Sequence, residues 1–140
     1  MVQNLKRQKL SDQVDNIVVM QQIKNSSREF VLGAIDKGAL GHQIMFGMGG
    51  IFIEILKEVA FRPAPLSFND ATSLLNSTKA GKLLGNVRGK KAVNEKLVRD
   101  MLIRLSQLVV DFPEIKEVDA NPLLVDDDGN ISTVDARIIL

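Results

Sequence analysis

The chain has 140 residues, 45% of them hydrophobic and 25% charged, enough for a single domain that buries about 68% of its unfolded surface when it folds alone. Eighteen Lys plus Arg against seventeen Asp plus Glu leave a net charge of +1, and Tyr and Trp are absent, which excludes a general attraction to nucleic acid or acidic membranes and removes the usual platforms for base stacking. Without Cys there is no disulfide framework, thiolate metal site or cysteine nucleophile; without an apolar run near the ~20 residues of a membrane span, or an apolar core in the polar start, a cytosolic protein is expected.

In chain order, residues 1–15 form a polar leader with no sustained apolar period, expected as a loose arm or a short helix, and residues 16–140 carry the folded domain. Asn16 to Lys24 holds Ile17, Val18, Val19, Met20 and Ile23, the composition of a buried strand ending at Asn25-Ser-Ser27. A second strand is predicted over Arg28 to Ile35, a third over Gln43 to Phe46, and a fourth over Ile51 to Ile55 after the turn Gly47-Met-Gly-Gly50. Pro63 and Pro65 keep Val59 to Leu66 extended. Ser67, with Asp70 three residues on, caps a helix running to about Thr78. Gly81, Gly85 and Gly89 break up the next stretch, and Asn86 to Lys91 reads as an exposed loop. Asn94 caps a longer helix whose stripe Val98, Met101, Leu102, Leu105, Leu108 and Val109 needs a packing partner, until Pro113 stops it. Strands, two main helices and strands again define an α+β fold with a mainly antiparallel sheet.

The carboxyl-terminal segment carries the most chemistry. Asp119 and Asn121 are two apart, so on a strand they share a face while Ala120 points away. Asp126-Asp-Asp-Gly-Asn130 supplies a turn between Leu123–Val125 and Ile131–Val134, a β-hairpin. An odd loop centred on Asp128 sets Asn121 opposite Asp135, fourteen residues later, and the three oxygens converge. A two-residue loop at Asp128-Gly129 puts them on opposite faces. Such a sparse Asp/Asn set suits Mg²⁺, which takes few protein carboxylates and completes its shell with water and phosphates. By residue pattern alone, a solvated acidic hairpin remains the alternative. A calcium loop of the EF-hand type is excluded because Leu124 stands where its first acidic ligand belongs.

Elsewhere, Gly47, Gly49 and Gly50 permit positive φ and close approach to a phosphate or a phosphorylated side chain, or simply make a tight hairpin. Glu54 alternates with Ile53 and Ile55, so it faces either a cleft or solvent. Arg62 and Arg88 are phosphate contacts or structural arginines. His42, the single histidine, falls in no recognised motif.

Phe46-Gly-Met-Gly-Gly-Ile-Phe-Ile-Glu-Ile-Leu56, Phe61-Arg-Pro-Ala-Pro-Leu66, Leu105-Ser-Gln-Leu-Val-Val-Asp-Phe-Pro-Glu114, Val118-Asp-Ala-Asn-Pro-Leu-Leu-Val125 and Val134-Asp-Ala-Arg-Ile138 resemble the ATP-grasp domain of ADP-forming acetyl-CoA and acyl-CoA synthetases, from about Asn16 onward. A more distant resemblance is to the β subunit of succinyl-CoA synthetase. The resemblance implies that Asn121 and Asp135 hold Mg²⁺, with Asp119, where relatives have an acidic residue beside that Asn, as a third ligand. It further implies that Gln21, Gln22 and Ile23 give backbone contacts to the adenine of ATP or ADP, and that Glu29 takes the ribose hydroxyls. A carboxylate that only accepts hydrogen bonds is chemically suited to that task.

The chain departs from the family at Ile35-Asp36-Lys-Gly-Ala-Leu-Gly41, where relatives carry an Arg-Asp dipeptide and a Phe-Gly turn. The preceding subdomain of the family, with its phosphate-covering lysine and glycine-rich lid, has no counterpart in these residues. The resemblance therefore implies the carboxyl-terminal portion of an ATP-grasp domain, inactive alone, working in acetyl-CoA + ADP + phosphate ⇌ acetate + ATP + CoA. By the same resemblance a CoA-binding, acyl-site subunit and a phosphorylated histidine come from other chains of a hetero-oligomer, and the lid from another chain or from a missing upstream segment. The alternatives are an inactive or split-gene fragment that binds nucleotide, and the ATP-grasp module of a protein acetyltransferase, whose acetyltransferase domain these residues lack. The acyl group is not legible here.

Overall fold

A computed structural model describes residues 2–8, 14–23, 26, 28–50, 58–86 and 90–140. Strand alternation builds the sheet. β1 (Arg28–Asp36) lies at its centre, antiparallel to β2 (His42–Met48) on one side and β4 (Glu117–Val125) on the other. β3 (Val59–Pro63) pairs with β2, while β5 (Ile131–Thr133) and β6 (Ala136–Ile139) follow one another along the outer edge of β4. Among the described residues the order is β3-β2-β1-β4-β5, with β6 also on β4, and every pairing is antiparallel.

One face of this sheet is apolar. Phe30, Leu32 and Ala34 of β1, Ile44 and Phe46 of β2, and Val118, Ala120, Leu123 and Val125 of β4 are buried there. The rings of Phe30 and Phe46 stack with centroids 5.8 Å apart. Three helices cover this layer: α2 (Phe68–Asn76), α3 (Lys79–Lys82) and α4 (Glu95–Asp111). The stripe expected on α4 is its core face, with Val98, Leu102, Leu105 and Val109 buried and Met101 and Leu108 partly buried beside them. Asn94 caps α4 by accepting from Leu97 N–H, and Ser67 and Asp70 form the expected capping box on α2. α2 stops at Asn76, because Thr78 serves as N-cap of α3 by accepting from Gly81 N–H. Gly81 thus sits inside a helical turn; a Cβ there would stand 1.9 Å from the Leu75 carbonyl oxygen, so the close approach requires glycine.

Two buried polar groups tie the layers together. Arg28 donates to the carbonyls of Leu83, Gly85 and Lys91 at 3.1, 3.3 and 2.7 Å, fixing the chain after α3 to β1. Ser106 Oγ on α4 accepts from Leu66 N–H at 2.7 Å, fixing the segment after β3.

The α+β class and the antiparallel sheet are as expected, and a short helix α1 (Val2–Arg7) occupies the leader. The strand expected over Asn16 to Lys24 is a correction: residues 16–23 adopt no regular structure. Val18, Val19 and Met20 are exposed at 75%, 94% and 73%. Apolar, β-branched residues make a strand only where a neighbouring strand and a cover exist, and neither sheet edge pairs with this segment. The strand expected over Ile51 to Ile55, and Glu54 with it, lies outside the described residues. No helix among the described residues is long and apolar enough to cross a membrane.

Removing the Ser106 hydroxyl leaves a buried N–H without a partner. Ser106→Ala should therefore cost about 1–3 kcal/mol in denaturant unfolding; an unchanged midpoint contradicts this account of the α4 contact.

Candidate functional site

The site is set by an irregularity in β4. Against β1, residues 123–125 pair in one register (Phe30 with Leu123) and residues 117–120 in another (Leu32 with Ala120), so Val31 stands opposite both Asn121 and Pro122. This β-bulge shifts the alternation by one residue. Without it Asn121 and Leu123 would share a face; with it Ala120, Leu123 and Val125 all enter the core while Asp119 and Asn121 stay on the opposite face, half-buried. Pro122 fits this position because it has no N–H to leave unpaired in a broken ladder.

The hairpin beyond carries the odd loop that convergence of these oxygens requires, not the two-residue turn. Val125 pairs with Ile131 across the five-residue turn Asp126–Asn130. One register runs through Leu123–Thr133 on one side and Ala120–Ala136 and Asp119–Arg137 on the other, which sets Asn121 across from Asp135. The turn is held by its own groups: Asp126 Oδ1 accepts from the backbone N–H of Asp128 and Asn130, each at 2.9 Å. Lys90 and Lys91 pair with Asp127 and Asp128. These tip carboxylates are thereby occupied.

A second constraint brings the glycine turn to Asn121. Gly50 N–H donates to Asn121 Oδ1 at 3.2 Å, and an amide oxygen with two lone pairs can still take a cation. Gly50 has φ +59, and a Cβ on it would lie 1.9 Å from Glu29 Oε2. Gly49 packs so closely on β1 that a Cβ would meet the Phe30 carbonyl oxygen at 2.4 Å, and one on Gly47 would meet the Glu58 carbonyl oxygen at 2.1 Å. The glycines therefore fit one corner in which the Glu29 carboxylate, the Gly50 N–H and the Asn121 amide come together.

The open face beside this corner forms a cavity of about 450 Å³. Ile35, Met45, Val59 and Phe61 give it an apolar floor, while Lys37, Glu117, Asp119 and Asn121 supply its polar groups. Asp119 has its pKa raised by burial first, then by the neighbouring charge of Glu117 and, after a partial offset from Arg137, that of Asp135. Glu117 itself is paired with Arg137 at 2.6 Å. Two repelling carboxylates beside an amide oxygen are a hard donor set suited to Mg²⁺. Among the described residues no group of three or more His, Cys, Asp or Glu is placed to hold a metal.

Gln21 and Ile23 line a second cavity of about 410 Å³ with Met20, Ser132, Thr133 and Val134, next in the chain to Asp135; Gln22 is exposed beside it. Arg62 serves structure, donating to the Phe61 carbonyl and to Ser73 Oγ at 2.8 and 3.1 Å. His42 Nε2 lies 2.6 Å from the Ile115 carbonyl oxygen and anchors the start of β2. Arg88 lies outside the described residues. Sequence reasoning missed Lys37 and the floor residues Met45 and Phe61, because their meeting depends on three strands that only pairing brings together.

A family model described as an ATP-grasp domain matches residues 1–140. The β subunit of the ADP-forming acetate–CoA ligase I of Pyrococcus furiosus is 41% identical over 123 residues, covering 88% of this chain and 53% of that subunit. The dinucleotide-forming acetyl-coenzyme A synthetase 1 of Ca. Korarchaeum cryptofilum superposes in its apo form with a TM-score of 0.81 at 38% identity, over 99% of this chain and 65% of that one. The same synthetase, solved with coenzyme A and Mg-AMPPCP and with its phosphohistidine segment pointing towards the nucleotide-binding site, gives 0.74 at 42% identity over 81% of this chain and 53% of that one. The chain belongs to the ATP-grasp family. It spans about half the length of the Pyrococcus subunit.

The raised pKa of Asp119 fixes a pH dependence. The folded state holds this proton more tightly than the unfolded state does, so stability falls as pH rises from the ordinary aspartate range through the raised value. Above that value the penalty is complete. Asp119→Asn should melt at a higher temperature than wild type at pH 7, and the difference should vanish at acid pH, where both states are protonated. Added Mg²⁺ should narrow the gap, since a cation offsets the same repulsion; a variant less stable at pH 7 contradicts this electrostatic account.

Proposed function

We propose that the chain is the nucleotide- and Mg²⁺-binding part of an ADP-forming acid–thiol ligase catalysing acetyl-CoA + ADP + phosphate ⇌ acetate + ATP + CoA, or the same reaction of a related acyl group. The observation that carries this reading is the register that sets Asn121 across from Asp135 on the face bearing Asp119 and the cavity. Membership of the ATP-grasp family supports it. On this reading residues 16–140 form the carboxyl-terminal portion of an ATP-grasp domain behind a polar leader of residues 1–15, in a cytosolic protein.

Each residue then has a task its chemistry suits. Asn121 and Asp135, with Asp119, hold Mg²⁺, which when bound neutralises phosphate charge during transfer. Glu29, held against Gly50, accepts from the ribose hydroxyls of ATP or ADP. Gln21, Gln22 and Ile23 offer backbone groups to the adenine edge beside Val134. Gly47, Gly49 and Gly50 bring the chain close to a phosphoryl group or a phosphohistidine, a task to which Glu54 is also assigned from the sequence. Positioning and cationic charge account for most of phosphoryl-transfer catalysis, so the reading calls for a CoA-binding, acyl-site subunit in a hetero-oligomer and for a lid segment with its lysine, from another chain or from an upstream segment.

Calorimetric titration with MgADP tests the assignment. Asp135→Ala should abolish Mg²⁺-dependent binding while leaving the melting temperature near that of wild type, since Asp135 is exposed and contributes a ligand rather than packing. Unchanged MgADP affinity in the variant defeats the metal assignment. Binding without ATP formation, once the partner chains are supplied, replaces the ligase reading with that of a nucleotide-binding module.

A further inference from the structure

We infer that Lys37 is a phosphoryl-binding residue, its ammonium meeting a dianionic phosphoryl group inside the cavity whose far wall carries Asp119 and Asn121. The inference rests on the proposed nucleotide site and adds to it a cation supplied by this chain. Lys37 lines the same cavity as the candidate metal ligands, yet it forms no ion pair among the described residues. The carboxylates around it are otherwise engaged. Asp36 Oδ1 accepts from Gly38 N–H at 2.9 Å, and Glu117 is paired with Arg137.

Spacing explains why Lys37 does not simply neutralise Asp119. Asp119 stands opposite Gly33 in the β1–β4 register, and at about 3.3 Å per residue Lys37 lies about 13 Å further along the strand. Lys37 is accordingly not among the charges that perturb Asp119. The gap is one that an anion occupying the cavity would bridge, with a cation at each end. The backbone that presents Lys37 is fixed: its N–H donates to the Gly41 carbonyl at 3.0 Å, and a one-turn 3₁₀ helix over Gly38–Leu40 closes the loop. A lysine is a compact point charge suited to a phosphoryl oxygen.

The phosphoryl group has two possible sources, the terminal phosphate of a nucleotide or a detached phosphoryl unit, and calorimetry separates them. Wild type, Lys37→Ala and Lys37→Arg are titrated with MgADP, with the magnesium complex of a non-hydrolysable ATP analogue, and with inorganic phosphate added to the MgADP complex. In Lys37→Ala the affinity for the analogue, the affinity for phosphate, or both should fall about tenfold or more, while MgADP affinity and the melting temperature change little; Lys37→Arg should restore most of the loss. Loss confined to the analogue identifies the nucleotide's own phosphate, and loss confined to free phosphate identifies a detached group. If wild type binds MgADP and neither ratio changes in Lys37→Ala, the lysine assignment is overturned alone. If wild type binds no MgADP, the nucleotide reading is overturned and this inference with it.

Discussion

The bulge at Asn121–Pro122 is the constraint on which the rest of the site depends. A strand has one alternation, and β4 is asked to satisfy two masters: Val118, Ala120, Leu123 and Val125 must all reach the core, while Asp119 and Asn121 must stay out of it. These positions cannot be reconciled by a regular period of two. One extra residue opposite Val31 reconciles them. The same displacement leaves the outer register with β5 and β6 intact, so that Asp135 arrives across from Asn121.

Around that bulge the glycine turn and β1 act as a mould. Gly50 donates to the Asn121 amide while its bare α-carbon accommodates Glu29, so the group proposed for ribose and the group proposed for metal are held through one residue. Electrostatics add direction. The exposed tip of the hairpin has its acids paired with lysines and backbone N–H groups, whereas Asp119 is half-buried and repelled by its neighbours. The charge imbalance that a cation would relieve is therefore at the base of the hairpin and not at its tip.

Local signals were legible where local physics decides. Ser67 with Asp70, Asn94, and the stripe from Val98 to Val109 specified α2 and α4 because caps and helical period need no distant partner. The hairpin between Val125 and Ile131 was legible from its turn residues, but its length was not: an odd loop and a two-residue turn were both open, and strand pairing decides for five residues. Asn16 to Lys24 misled, since its β-branched residues state a preference that only a neighbouring strand can realise. Gly81 read as a breaker, yet it lies in α3 because the Leu75 carbonyl leaves no room for a side chain. The bulge in β4 was not legible, for it follows from how two strands register. Lys37 was passed over for a related reason: its meaning comes from facing Asp119 and Asn121 across a cavity, not from its neighbours in sequence.

The most direct test of this account is to replace Mg²⁺ with paramagnetic Mn²⁺ in the presence of ADP and to map the broadening of backbone amide resonances. The account predicts broadening centred on residues 119–121 and 134–136, extending to Gly50 through its bond to Asn121. Broadening centred on Asp126–Asp128 instead, with the bulge residues unaffected, would place the cation on the solvated tip and contradict the claim that the bulge builds a metal site.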